Sequence, residues 1–191
     1  MARAIDTSDG RSVALKISRS GTYDLDNARS EIEILKYLQE TDPNNDASIV
    51  RMLDSFYFRG HYVIVFELLG TNLWRCIRSS SFKGMSKDEL RSLVIQMLKA
   101  LLHLKKHKVT HCDLKPENVV YTDSRKTDIK IIDFGSSCTS FKKGYEYVQS
   151  RYYRCPEIIL GFNYGCAADM WSLGCMVSEL ATGRPLFPSI D

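Results

Sequence analysis

The chain has 191 residues, 44% apolar and 26% charged, with a formal charge of +3. That composition excludes a disordered or collagen-like polypeptide, and a charge this small argues against a nucleic-acid partner, which calls for a clustered basic stripe. The densest basic stretch, residues 99–108, closes an apolar-periodic segment and reads as a helix C-terminus favoured by the helix dipole.

In chain order, residues 2–6 and 12–17 alternate like strands around Asp9-Gly10, a hairpin signal. Residues 26–39 place Ala28, Ile32, Leu35 and Leu38 near helical spacing and end at Asp42-Pro43-Asn44-Asn45. A second strand pair is predicted over 49–58 and 61–68, around Arg59-Gly60. Ser86-Lys87-Asp88-Glu89 fits a capping box, and Leu90, Leu93, Met97 and Leu101 continue one apolar helical face. Residues 119–121 and 129–132 read as two short strands. A loop-like stretch follows from Gly135 to about Pro156. Residues 167–180 form an apolar helix, expected to be buried. The order predicts an α+β protein, with a small β lobe, a hinge near residues 67–70 and a larger helical lobe.

The six cysteines form no Cys-x-x-Cys pair and lack zinc-ligand spacing with histidine, so they read as reduced thiols in an intracellular setting. No apolar run approaches the ~20 residues of a membrane span, and the N-terminus does not read as a targeting segment.

The chemistry concentrates in His111-Cys112-Asp113-Leu114-Lys115-Pro116-Glu117-Asn118 and in Asp133-Phe134-Gly135. Together these match the protein-kinase signature. Phosphoryl transfer depends on positioning and charge neutralisation. Asp113 suits the proton of an attacking hydroxyl, and Lys115 lies within reach of a γ-phosphate. Asn118 and Asp133 offer hard oxygen ligands for Mg²⁺. In Val13-Ala14-Leu15-Lys16, Lys16 ends a strand and would pair ATP phosphates with a helix glutamate, either Glu31 or Glu33. The register Glu-apolar-x-apolar-Leu points to Glu31. Alone, each charge would read as a surface residue. Phe66 resembles the gatekeeper before the hinge. The main chain of Glu67 and Leu69 would bond adenine, with Ala14 and Val120 on the ring faces. Ile132 fits beneath the phosphates and fits ordinary core packing equally well.

The chain resembles the dual-specificity tyrosine-regulated (DYRK) branch of the CMGC protein kinases. The resemblance is carried by Cys112 within His-Cys-Asp, by Ser136-Ser137-Cys138, by Tyr145-Glu146-Tyr147-Val148-Gln149-Ser150-Arg151-Tyr152-Tyr153-Arg154, and by Asp169-Met170-Trp171-Ser172-Leu173-Gly174-Cys175. It implies ATP-dependent phosphorylation of protein Ser/Thr hydroxyls, with Mg²⁺. It also implies autophosphorylation of Tyr147, whose phosphate Arg151 and Arg154 would receive. Arg154 further implies proline after the phosphorylated residue. Glu157 resembles the Ala-Pro-Glu glutamate, and Asp169 a cap on the catalytic-loop backbone. No Gly-x-Gly-x-x-Gly occurs. The resemblance places that loop before Met1 and further helices after Asp191, so the expected kinase-like two-lobe fold is incomplete. Residues 1–69 would form a partial N-lobe with hinge and 70–191 a partial C-lobe. The alternative is a shortened, non-catalytic chain acting as a binding or regulatory module.

Overall fold

The computed structural model describes residues 1–139 and 147–188. The first hairpin joins β1 (Ala2–Ile5) to β2 (Ser12–Ile17), and the Gly10 N–H closes its turn on Asp6 O. The second joins β3 (Met52–Phe58) to β4 (His61–Glu67). The four strands form one antiparallel sheet in the order β1-β2-β4-β3, with Lys16 opposite Ile64 and Ala14 opposite Phe66. Between the hairpins runs α1 (Thr22–Glu40), which buries Ala28, Glu31, Ile32, Leu35 and Leu38. It begins four residues before the expected start. Its N-cap, Gly21, makes no side-chain cap, so no capping signal marked the entry.

The helical lobe begins with α2 (Leu73–Ser79), capped by Asn72 Oδ1 accepting from Arg75 N–H. The long helix α3 (Lys87–Lys106) starts at the expected capping box, with Ser86 and Glu89 bonding reciprocally. Short strands β5 (Val109–Thr110), β6 (Val119–Tyr121), β7 (Ile129–Ile131) and β8 (Cys138–Thr139) follow, paired β6 with β7 and β5 with β8. The stretch after Gly135 is therefore less irregular than expected. Besides β8 it holds a 3-10 turn at Arg151–Tyr153, and α4 (Pro156–Ile159) follows it. Residues 140–146, including Tyr145 and Glu146, and residues 189–191 lie outside the described residues.

Helix α5 (Ala167–Thr182) is buried along Ala168, Asp169, Ser172, Leu173, Met176 and Leu180. Met170 and Trp171 stay exposed, Trp171 stacked on Phe187. Gly183 ends α5 in the left-handed region, φ 77°. A Cβ there would lie 1.8 Å from Phe82 O, so both backbone angle and space require glycine.

One continuous apolar core unites both lobes, from Leu35, Ile64 and Phe66 through Leu104 and Leu114 to Met176. The α+β two-lobe expectation holds for this chain, and the groove between the lobes positions the site.

Candidate active site

Three elements converge on Lys16. Its Nζ donates to Glu31 Oε1 and Oε2 at 2.7 Å each, and to Asp133 Oδ1 at 2.7 Å. Glu31 is buried on α1, whereas Glu33 is exposed. Strand β2 supplies the lysine from the sheet, α1 presses the glutamate against it, and the turn after β7 brings the aspartate. Burial lowers the proton affinity of Lys16, but the carboxylates of Glu31 and Asp133 outweigh it and hold the ammonium above its usual range. Burial also raises Asp133, yet Lys16, then His111 and the Gly135 N–H, bring its carboxyl below the ordinary value. Glu31 is pushed up by burial while Lys16 pulls the other way. One cation thus serves two carboxylates, and the more exposed Asp133 carries the firmer negative charge.

The loop that carries Asp113 is held by α5. Asp169 on α5 accepts the backbone N–H of His111 at 2.7 Å and of Cys112 at 3.0 Å. Cys112 sits at φ 64° and Asp133 at φ 66°, a region costly for non-glycine residues. The two bonds to Asp169 fix the first of these. Burial dominates at Asp169 and pushes its carboxyl up. Asp113 N–H donates to His111 Nδ1 at 3.2 Å, so Nε2 carries the proton and donates to Ile132 O at 3.0 Å. The His111 ring packs edge-on against Phe134, centroids 4.9 Å apart, which ties the loop to Asp133-Phe134-Gly135. Cys112 is fully buried, its sulfur 3.7 Å from that of Cys138.

Asp113 is surrounded by donors. Lys115 Nζ lies 2.7 Å from its Oδ2, Ser150 Oγ donates to its Oδ1 at 2.8 Å, and Asn118 Nδ2 donates to its backbone O at 2.9 Å. Lys115 also donates to Ser150 Oγ at 3.0 Å. With its nitrogen turned to Asp113, Asn118 has its amide oxygen left to face a cation. A cleft of about 370 Å³ opens above, lined by Ala14, Phe66, Leu69, Val120 and Ile132 on apolar walls and by Lys16, Asn118 and Asp133 at its polar end. The Glu67 N–H is used by Arg51 O at 3.1 Å, while the Leu69 N–H has no backbone partner among the described residues.

The sequence matches the protein kinase domain family over residues 1–191. The chain belongs to the protein kinase domain family. Among curated relatives it is 46% identical over 188 residues to human dual specificity tyrosine-phosphorylation-regulated kinase 4, covering 98% of this chain and 36% of that protein. It is 46% identical over 186 residues to the Drosophila melanogaster dual specificity tyrosine-phosphorylation-regulated kinase 2, covering 97% and 26%. It is 45% identical over 186 residues to the DYRK-family kinase pom1 of Schizosaccharomyces pombe, covering 97% and 17%. The chain thus spans little more than a third, or less, of the length of these relatives.

In this kinase domain Lys16, Glu31, Asn118 and Asp133 line one cleft, and Asn118 joins it to the adjoining Asp113–Lys115 pair by donating to Asp113. Tyr147 lines a separate cavity of about 450 Å³ together with Asp113 and Ser150. It is 69% exposed, with the Arg154 guanidinium 3.8 Å from its ring centre. Arg154, then Arg151, hold the Tyr147 hydroxyl below its usual range. Arg154 also donates to Val148 O at 2.8 Å and Gln149 O at 2.6 Å. Glu157 is exposed in the first turn of α4.

Three features escaped the sequence reading. Ser150 shares Asp113 with Lys115. Glu117 Oε2 is buried without a hydrogen-bond partner among the described residues. Glu179 on α5 accepts from Tyr153 Oη at 2.6 Å and lines, with Glu117, Ser150 and Arg154, a second cavity of about 810 Å³. Burial raises the Glu179 carboxyl, and the nearby Glu117 charge raises it further. Among the described residues no helix is long and apolar enough to cross a membrane.

Proposed function

We propose that this domain transfers the ATP γ-phosphate to serine and threonine hydroxyls of proteins, and to its own Tyr147. The observation that carries the reading is the Lys16 ammonium shared at 2.7 Å between Glu31 and Asp133, in a cleft that Asn118 links to the neighbouring Asp113–Lys115 pair. The apolar walls fit adenine, and the Leu69 N–H, which has no backbone partner among the described residues, fits its polar edge together with the Glu67 main chain. Asn118 and Asp133 provide the oxygen donors that suit Mg²⁺, which when bound neutralises phosphate charge. Lys16 would hold the inner phosphates. Asp113 would orient the substrate hydroxyl and receive its proton, while Lys115 compensates charge on the transferred group. The Ser150 hydroxyl, donating to Asp113 at 2.8 Å, supports the fit of a serine-type donor to that carboxylate.

The acceptor side supports a peptide substrate. Arg154, beside the groove, fits the reading of proline after the phosphorylated residue. Glu117 and Glu179 give the 810 Å³ cavity a carboxylate pair, one oxygen of which is buried without a hydrogen-bond partner among the described residues, and this suits a basic substrate side chain. At Tyr147 a phosphate would exchange the ring contact with Arg154 for charge-assisted bonds to Arg154 and Arg151. The division at residues 69/70 follows the same reading, as does an intracellular setting with all six cysteines free.

The test is to incubate the expressed chain with Mg·ATP and a Ser-Pro peptide carrying an upstream arginine, then map phosphate by mass spectrometry. Phosphate on the peptide serine and on Tyr147 is expected. A folded chain that binds Mg·ATP and leaves both unmodified would favour the non-catalytic alternative.

A further inference from the structure

Glu67 is expected to meet adenine through its main chain, while its side chain enters a charged network. Lys130, on β7, is only 6% exposed. Its Nζ ion-pairs with Glu67 Oε1 and donates to Asn45 Oδ1 at 3.0 Å. The same Glu67 oxygen accepts the Arg51 backbone N–H at 2.7 Å. The Arg51 guanidinium continues the network to Asp42 O at 3.0 Å and Pro43 O at 3.2 Å. Asn45 itself lies at φ 60°, a left-handed position that asparagine tolerates better than most residues.

This network joins three parts of the site. Asp42 to Asn45 form the exit of α1, the helix that carries Glu31. Glu67 opens the hinge. Lys130 precedes Asp133 by three residues on the same strand and turn. The α1 exit is also pinned to β7 by the main chain, through Ile131 N–H to Ser48 O at 2.8 Å and Val50 N–H to Ile131 O at 3.0 Å. An ammonium placed there is a poor device for stability. Desolvating two charges costs as much as their attraction returns, and apolar residues of similar volume would often do as well. What such a pair does provide is direction, since Nζ must meet Glu67 and Asn45 together.

We infer that Lys130 is a positioning residue for nucleotide binding, a strut that sets the Glu67–Leu69 main chain against the α1 exit and the Asp133 turn. The inference rests on the kinase reading of the cleft. It predicts that loss of the strut acts on nucleotide affinity more than on the chemical step.

The test compares wild type, Lys130→Met and Lys130→Arg in the full chain. With Mg·ATP as the varied substrate, Lys130→Met is expected to raise KM about tenfold, the equivalent of one modest interaction, with kcat within about twofold. Lys130→Arg is expected to recover most of the loss, because it keeps a cation in reach of Glu67. A merely structural role would lower kcat, or the active fraction, and leave KM unmoved. Amide hydrogen exchange without nucleotide gives an independent reading. The Glu67 and Gly70 N–H groups, bonded to Arg51 O at 3.1 Å and Tyr121 O at 2.8 Å, should exchange faster in Lys130→Met and not in Lys130→Arg. Unchanged KM together with unchanged exchange at these amides would overturn the strut. Failure of the wild type to bind Mg·ATP would instead overturn the kinase reading, and the exchange data would still judge the strut alone.

Discussion

Replacing Asp169 by alanine removes a carboxylate that accepts two buried backbone N–H groups, those of His111 at 2.7 Å and Cys112 at 3.0 Å. Each amide left unsatisfied costs about 1–3 kcal/mol. The left-handed backbone at Cys112, worth roughly 1–2 kcal/mol of strain, also loses its anchor. Against this, a charge buried at high desolvation cost disappears, which returns part of the loss. The balance is a destabilisation of about 2–4 kcal/mol for Asp169→Ala. Asp169→Asn keeps one acceptor oxygen but turns an NH2 toward the second amide, so it should fall about halfway between. Urea unfolding at pH 7, analysed with a common m-value, measures both. Under conditions where each variant remains folded, phosphotransfer should fall in the same order, because Asp113 follows Cys112 on the loop. Both variants within about 0.5 kcal/mol of wild type would refute the claim that Asp169 holds the loop.

Other sites give shorter tests. Gly183→Ala should destabilise by more than about 1 kcal/mol, since the residue needs φ 77° and its Cβ would meet Phe82 O at 1.8 Å; a thermal midpoint equal to wild type would contradict the tight α5 exit. Asp133 has a folded-state pKa below its ordinary value of 3.8, so its pairing with Lys16 contributes fully above that value and is lost as pH falls through the lower folded value. The stability gap between wild type and Asp133→Asn should therefore be constant from pH 7 to about 5 and shrink below pH 3.8; a gap that widens on acidification would reverse the sign. Glu117→Gln should lower kcat/KM for a peptide with an upstream arginine about tenfold and barely change it for the alanine analogue. Equal losses on both peptides would remove the acidic pair from substrate recognition.

The long amphipathic elements were legible because their burial is written in local periodicity. α3 carries both its capping box and its apolar stripe in sequence, and the β2–β4 partners alternate on a half-buried sheet. α2 was not, because seven residues that bury only Leu73 and Ile77 leave no periodic trace. α4, a single turn, leaves even less. The site divides in the same way. Asp113, Lys115 and Asn118 sit in one short run, and their contacts are local. Ser150 meets Asp113 from 37 residues away, and Lys130 meets Glu67 from 63. Such partners depend on how the chain returns to the groove, which spacing alone does not encode. Glu31 could be favoured over Glu33 in sequence only through a family register. In the structure the choice has a physical basis, since one side of α1 faces the sheet and the other faces solvent.

The central claim is that Asp113 acts on a hydroxyl while Lys16, Asn118 and Asp133 hold the phosphates and their metal. The most direct measurement is incorporation of γ-labelled phosphate from Mg·ATP into a serine peptide by the wild-type chain and by Asp113→Asn, each shown to be folded and to bind Mg·ATP. Incorporation by wild type, reduced at least ~100-fold in Asp113→Asn with nucleotide affinity preserved, is the predicted result. Equal incorporation by both proteins, or none by a folded wild type that binds Mg·ATP, would contradict it.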